Sequence, residues 1–223
     1  MTAITPVIVL SVATRVQARR VEQATQAARS YIDGVQTGTI PKPENAIPLK
    51  QDDKTTTATP DTAFANAGAP LPTVLNCPDD INVPGSIYPY CANNPADFTA
   101  PSLYCVDTDG DGCSSGSPRD FIVQAFRSAK TSVQGVPEID PSDGTLIDKG
   151  TTGYLLGVRV YRADAFDGTS TLATTTTNAA AGGKKAATYA GGKGVRLAPL
   201  VEMTTEVRTP GTTFDSLRER LNP

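Results

Sequence analysis

Residues 107 to 112 read Asp-Thr-Asp-Gly-Asp-Gly, and their types and spacing suit metal chemistry. Alternate aspartates, with glycine to permit sharp turns, place several carboxylate oxygens around one point. That is the hard-oxygen setting calcium prefers. Asp107, Asp109 and Asp111 are therefore ligand candidates, with Ca2+ as the expected cofactor. The match to an EF-hand loop is partial, because the twelfth position counted from Asp107 is Pro118, where that loop carries a bidentate Glu. A further ligand is expected from Asp120 or from a backbone carbonyl near Cys113. Crowded carboxylates repel one another without a cation. The plain alternative is an Asp/Gly turn that binds nothing.

Four cysteines, Cys77, Cys91, Cys105 and Cys113, sit in one loop-rich stretch, and none forms a CxxC pair. Zinc would need thiolates at unusual spacings. Two disulfides in an oxidising compartment read better, with free thiols in a cytosolic protein as the alternative. Three pairings are open. Cys77–Cys91 and Cys105–Cys113 are favoured because chain neighbours close short loops most readily, and the second bridge would clamp both flanks of the Asp-rich loop.

Other chemistry finds little footing. The chain has no histidine, which removes the commonest general base and zinc ligand together. Serines lack a histidine partner, and no Gly-x-Ser-x-Gly occurs. Gly182-Gly183-Lys184-Lys185 and Gly191-Gly192-Lys193-Gly194 lack the spacing and following Ser or Thr of a phosphate loop. Asp52/Asp53 and Asp79/Asp80 sit in loop sequence with no apolar setting to raise a pKa. No enzymatic activity is expected.

The elements that position these residues follow from periodicity. Residues 7 to 36 predict one helix, with Val9, Val12, Val16, Ala24, Ala28, Tyr31 and Val35 at three- and four-residue steps and a slip near Val21. Its first turns, Val7 to Val12, are apolar all round, whereas its later turns are amphipathic. Gly34, Gly38 and Pro41 end it. Residues 38–76 are rich in Pro, Thr and Ala and predict a long loop that packs little. Strands are expected at Phe121 to Arg127 (where Ser117, Pro118 and Asp120 would also suit a helix start), Tyr154 to Ala163 and Val201 to Arg208. Leu156, Val158 and Val160 face one side of their strand, Arg159 and Tyr161 the other. The Thr/Ala/Gly tract from Gly168 to Gly194 predicts a mobile hairpin loop, and Phe214 to Leu221 a terminal helix capped by Thr212 or Thr213. The expected fold is α+β: residues 1–37 a helix, 38–76 a loop, and 77–223 a head with a small antiparallel sheet.

The 223 residues allow one core, and the 19 glycines and 18 prolines imply long loops. A net charge of −3 argues against a nucleic-acid partner, which needs a basic face. Arg15, Arg19 and Arg20 form the one basic cluster and, with Glu22 near by, predict a solvated, ion-paired helix face. Ile4 to Val12 is apolar but about half the ~20 residues of a membrane span, and it lacks the flanks of a signal peptide.

Met1-Thr-Ala-Ile-Thr-Pro6-Val-Ile-Val-Leu10, running into the Arg/Gln/Ala-rich helix through Asp33, resembles the N-terminal helix of type IV pilins and pseudopilins. Pro6 matches the proline that family carries late in its apolar segment. The helix together with the loop from Asp107 to Cys113 resembles the hormogonium polysaccharide secretion pseudopilins in particular. The resemblance implies a long helix on a small antiparallel sheet, with Pro6, Val9, Val12 and Val16 on the filament and membrane helix. It also implies other pilin or pseudopilin subunits as partners, polysaccharide export or surface motility as the process, and inner membrane, periplasm and cell surface as the location. Calcium in a C-terminal loop accords with the family. The family's leader (glycine, then a phenylalanine-type residue and a glutamate) is not among these residues, so Met1 is expected to be internal, with roughly 15–20 span-completing residues ahead of it. The rival expectation is a secreted, calcium-stabilised module that binds carbohydrate through Tyr88, Tyr90 and Tyr104, or binds protein.

Overall fold

The computed structural model describes residues 5–43, 45–48, 64, 67–73, 75, 77, 90–91, 103–129, 153–174 and 196–208. Helix α1 spans Thr5–Gln36, two residues earlier than periodicity places it. Its end is closed by the Gly38 N–H on the Val35 carbonyl at 3.2 Å and the Ile40 N–H on the Gly34 carbonyl at 2.9 Å. Gly34 has no room for a side chain: a Cβ there would stand 2.5 Å from Ile40 Cδ1. Ile40 thereby folds back over the last turn and is buried.

The strands are β1 (Ala46–Pro48), β2 (Tyr90–Cys91), β3 (Leu103–Val106), β4 (Phe121–Ala129), β5 (Tyr154–Arg162) and β6 (Val201–Val207). They form one sheet in which β2-β3-β4-β5-β6 are antiparallel neighbours, while β1 pairs in parallel with the far end of β4. The fold is α+β, as expected. The three anticipated strands are present as β4, β5 and β6. The short β1, β2 and β3 carry too few residues for a two-residue period to register.

Period-two alternation assigns the faces. Phe121, Val123 and Ala125 of β4, Tyr154, Leu156, Val158 and Val160 of β5, and Val207 of β6 join Ala24, Ala27, Ala28, Tyr31, Ile32 and Val35 of α1 in one core. Small residues on the helix let its backbone approach the sheet closely. Tyr31 anchors the contact. Its hydroxyl lies 2.7 Å from that of Tyr90, and Tyr90 donates its own proton to the Pro41 carbonyl at 2.7 Å, so Tyr31 is the donor of the pair. Burial pushes the Tyr31 phenol well above its ordinary range.

The second face of the sheet is covered as well. Cys91, Leu103, Cys105, Ile122, Tyr161, Ala163, Ala165, Phe166 and Leu172 form a separate core. This explains why β4 reads as a continuous apolar run rather than an alternating one. Arg159, 0% exposed, organises the neighbouring area. It donates to Glu202 Oε1 at 2.9 Å, to the Ala67 carbonyl at 2.7 Å and to the Phe64 carbonyl at 2.7 Å, and its guanidinium sits 5.1 Å from the Phe126 ring centre. A buried cation is tolerable only with this much compensation. Gln124 Nε2 adds a bond to the Gly68 carbonyl at 2.9 Å.

Two loop expectations are corrected. The described residues of 38–76 do pack, through Ile40, Pro43, β1, the 2%-exposed Phe64 and the carbonyls held by Arg159 and Gln124. The polar side chains of β4 and β5 reach these carbonyls across the sheet, which sequence periodicity does not reveal. The described start of the Thr/Ala/Gly tract, Gly168 to Thr174, packs as well. Leu172 and Thr174 are buried there, and the Ala173 N–H reaches the Leu197 carbonyl at 2.9 Å. Its remainder to Gly194, Asp52/Asp53, Asp79/Asp80, Tyr88 and the Phe214 to Leu221 helix lie outside the described residues.

Candidate metal centre

The β3–β4 hairpin builds the site. Val106 pairs with Phe121, so Asp107 leaves one strand where Asp120 enters the next, and residues far apart in the intervening loop are drawn to one end of the sheet. Both expected disulfides are present, Cys77–Cys91 and Cys105–Cys113. The second ties β3 to the far side of the Asp-rich loop. Both sit against the second core, and two disulfides suit an oxidising, extracytoplasmic environment.

Asp107 shapes the turn. Its Oδ1 accepts the N–H groups of Asp109 at 3.0 Å and Gly110 at 2.7 Å, and its Oδ2 accepts the Gly112 N–H at 3.0 Å. Gly110 and Gly112 sit at φ of 80° and 91°, a left-handed conformation that favours glycine. These donors, that of Gly110 foremost, hold the Asp107 carboxyl below its ordinary value.

Asp109 behaves in the opposite way. A hydrogen bond shared with Asp111, with lesser repulsion from Asp111 and Asp107, pushes its carboxyl up. The nearest cation is Arg119, 3.7 Å from Asp109 Oδ2 and itself 72% exposed. Asp120 is fully buried and accepts long bonds from the Thr108 N–H at 3.3 Å and the Ser114 N–H at 3.5 Å. Ser117 Oγ takes the Asp120 N–H at 3.2 Å, which pins the backbone.

One carboxylate oxygen from each of Asp107, Asp109, Asp111 and Asp120 lies within 4.8 Å of the others. This is a set of hard, anionic oxygen donors able to hold a metal ion. The sequence-derived ligands Asp107, Asp109, Asp111 and Asp120 are thus brought together. Cys113 is placed differently: its sulfur is consumed in the bridge to Cys105, so its backbone carbonyl is its one remaining donor.

Several features escaped sequence reading. Asp167 forms a second closed turn with Thr169, Ser170 and Arg196. The signal available for it was Asp-Gly-Thr-Ser, hidden at the edge of a tract read as loose loop. Arg159 is read from the sequence only as lying with Tyr161 opposite Leu156, Val158 and Val160, with no sign that it is buried. Tyr90 and Tyr104 pack together, with their rings 5.9 Å apart and Tyr104 5.2 Å from Tyr31, and both stay half-buried.

The helix residues singled out by sequence lie on α1. Among them Val12 is 58% and Val16 44% exposed; Pro6 and Val9 fall on its first turns. The expected ion pairing of the basic face is absent among the described residues. Arg15, Arg19 and Glu22 are exposed, and no described carboxylate pairs with either arginine. Arg20 is half-buried, and burial, with Arg162 beside it, lowers its pKa. No described helix is long and apolar enough to cross a membrane. No protein-family model matches the chain, and comparison with curated proteins and with solved structures found no match.

Proposed function

We propose that this chain is a structural, non-catalytic subunit of a type IV pilus-like filament, a pseudopilin or minor pilin serving polysaccharide secretion or surface motility. The reading places it in the inner membrane before assembly and on the periplasmic or cell-surface side afterwards, with other pilin-like subunits as partners. The observation that carries it is the division of α1. From Ala24 to Val35 the helix is seated on the sheet, whereas Val12 and Val16 stand exposed on the half that precedes it. Burial of a valine is worth roughly 1.5–3 kcal/mol, so exposed apolar turns on a rigid helix favour a partner that covers them. Within the head, Ca2+ is the metal assigned to Asp107, Asp109, Asp111 and Asp120. Their number and charge suit its larger coordination shell better than the strict octahedron of Mg2+.

The test is photocrosslinking in intact cells that make the protein, with a photoreactive residue at Val12, at Val16, or at the exposed Thr171 as control. A ladder of the chain with itself or with other helical subunits, specific to Val12 and Val16, is expected. Equal labelling at all three positions would remove the filament reading.

A further inference from the structure

We propose that the projecting half of α1 also binds anionic lipid headgroups directly in the unassembled subunit. Between Thr5 and Val21 the chain carries three arginines and no carboxylate, although its net charge is −3. This stretch is a carboxylate-free basic segment in an acidic protein; another carries Lys184, Lys185, Lys193 and Arg196 between residues 168 and 201. The helical repeat sets Val12, Arg15, Val16 and Arg19 along one strip of the helix. All four are exposed, and neither arginine is neutralised by a described carboxylate.

The strip lies away from the row formed by Ala24, Ala28, Tyr31 and Val35, which faces the sheet. Seating the head thus leaves it open over about 11 Å of helix. Valines interleaved with arginines, free of acidic residues, have the composition of an interfacial helix face. The apolar groups enter the acyl boundary while the guanidinium groups stay among phosphates. Charge complementarity selects an anionic bilayer surface over a neutral one. The contact uses the same half-helix as the filament reading but requires no filament.

The experiment is flotation of the purified full chain with vesicles of phosphatidylcholine alone and of phosphatidylcholine containing about a third phosphatidylglycerol. The wild type is expected to float with the anionic vesicles, to remain behind with the neutral ones, and to be released by high salt. Arg15→Gln/Arg19→Gln should weaken partitioning about 30-fold, roughly fivefold per arginine. Both side chains are exposed, so its melting temperature should match wild type. Equal flotation on both vesicle types, no flotation, or full flotation of the double variant would each overturn the proposal. Vesicle-independent self-association abolished by the double variant would overturn it too, assigning the strip to a second copy. Loss of lipid binding with the Val12 and Val16 cross-links intact overturns this contact and spares the filament reading; lipid binding without cross-links does the reverse.

Discussion

The turns led by Asp167 and by Asp107 begin alike, each with an aspartate that gathers the N–H groups of the residues after it. Asp167 accepts the Thr169 and Ser170 N–H groups at 2.9 and 2.7 Å and the Ser170 hydroxyl at 2.7 Å. Arg196 then closes the turn, 2.7 Å from Asp167 Oδ2 with both side chains mostly buried. One carboxylate meets one guanidinium, and the charge balances within the chain. The Asp107 turn has comparable backbone bonds, yet four carboxylates face one exposed arginine. Turn geometry is nearly the same in the two places. Charge balance is what separates a finished turn from one that favours a cation.

The largest effect expected from this difference is calcium-dependent stability. A cation bound to the folded state at about 100 times its dissociation constant contributes roughly 2.7 kcal/mol. For a chain of this size that is a rise in melting temperature of about 5–10 °C. Scanning calorimetry with calcium and then with excess chelator checks it. No shift in the wild type breaks the comparison, and an equal shift in Asp109→Ala removes the site while leaving the fold description intact.

Next in size is a difference of sign between two single variants. Asp167→Asn should lower the melting temperature equally in calcium and in chelator, because its partners belong to the protein. Asp109→Asn should abolish the calcium increment, yet in chelator it should melt no lower than wild type, since it relieves repulsion from Asp111. Paired melts in the two buffers read both outcomes. A calcium-free loss in Asp109→Asn as large as that in Asp167→Asn would mean that the two turns are held together in the same way.

Acid titration in chelator separates them again, more weakly. The carboxyls of Asp167 and Asp107 are held below the ordinary 3.8, chiefly by backbone N–H donors. Their stabilisation is complete above 3.8 and is lost as pH falls through the depressed folded values. Asp109 has the reverse sign: its carboxyl is raised from 3.8, so its contribution is complete below 3.8 and is lost as pH rises through the raised value. Asp167→Asn should therefore flatten the stability profile below 3.8, and Asp109→Asn should flatten it above. Identical profiles for the two variants would contradict opposite shifts.

Much of this was legible before the structure, and what was hidden has a common cause. The helix and the strands β5 and β6 announce themselves because each repeats its pattern over seven residues or more, and β4 through its apolar run. Asp107, Asp109 and Asp111 alternate within one short loop, and Asp120 lies close enough in the chain to be a further ligand candidate. Arg159, Asp167 and Arg196 were opaque because their partners are backbone carbonyls, or a charge 29 residues away. Residue identity does not encode such distances. Phe64 was opaque for the same reason: it lies in a Pro/Thr/Ala stretch, while Arg159 holds its carbonyl and its ring lies 5.1 Å from that of Phe126. Periodicity reports burial along an element, not the polar latches that fix one segment to another.

The smallest effect concerns the two arginines, and it tests the comparison most directly. Arg196 shares its burial with Asp167, so Arg196→Gln should lower the melting temperature by about 2–4 °C in either buffer. Arg119 is mostly solvated and stands 3.7 Å from Asp109, and a pair of that kind contributes little in water. Arg119→Gln should stay within about a degree of wild type in chelator. With calcium its effect should turn favourable, because a competing cation has left a surplus of carboxylates, and affinity measured by calorimetric titration should rise about twofold. If Arg119→Gln instead melts as low as Arg196→Gln and leaves calcium affinity unchanged, the Asp107 turn is neutralised by its own chain as fully as the Asp167 turn, and no charge is left for a metal to balance.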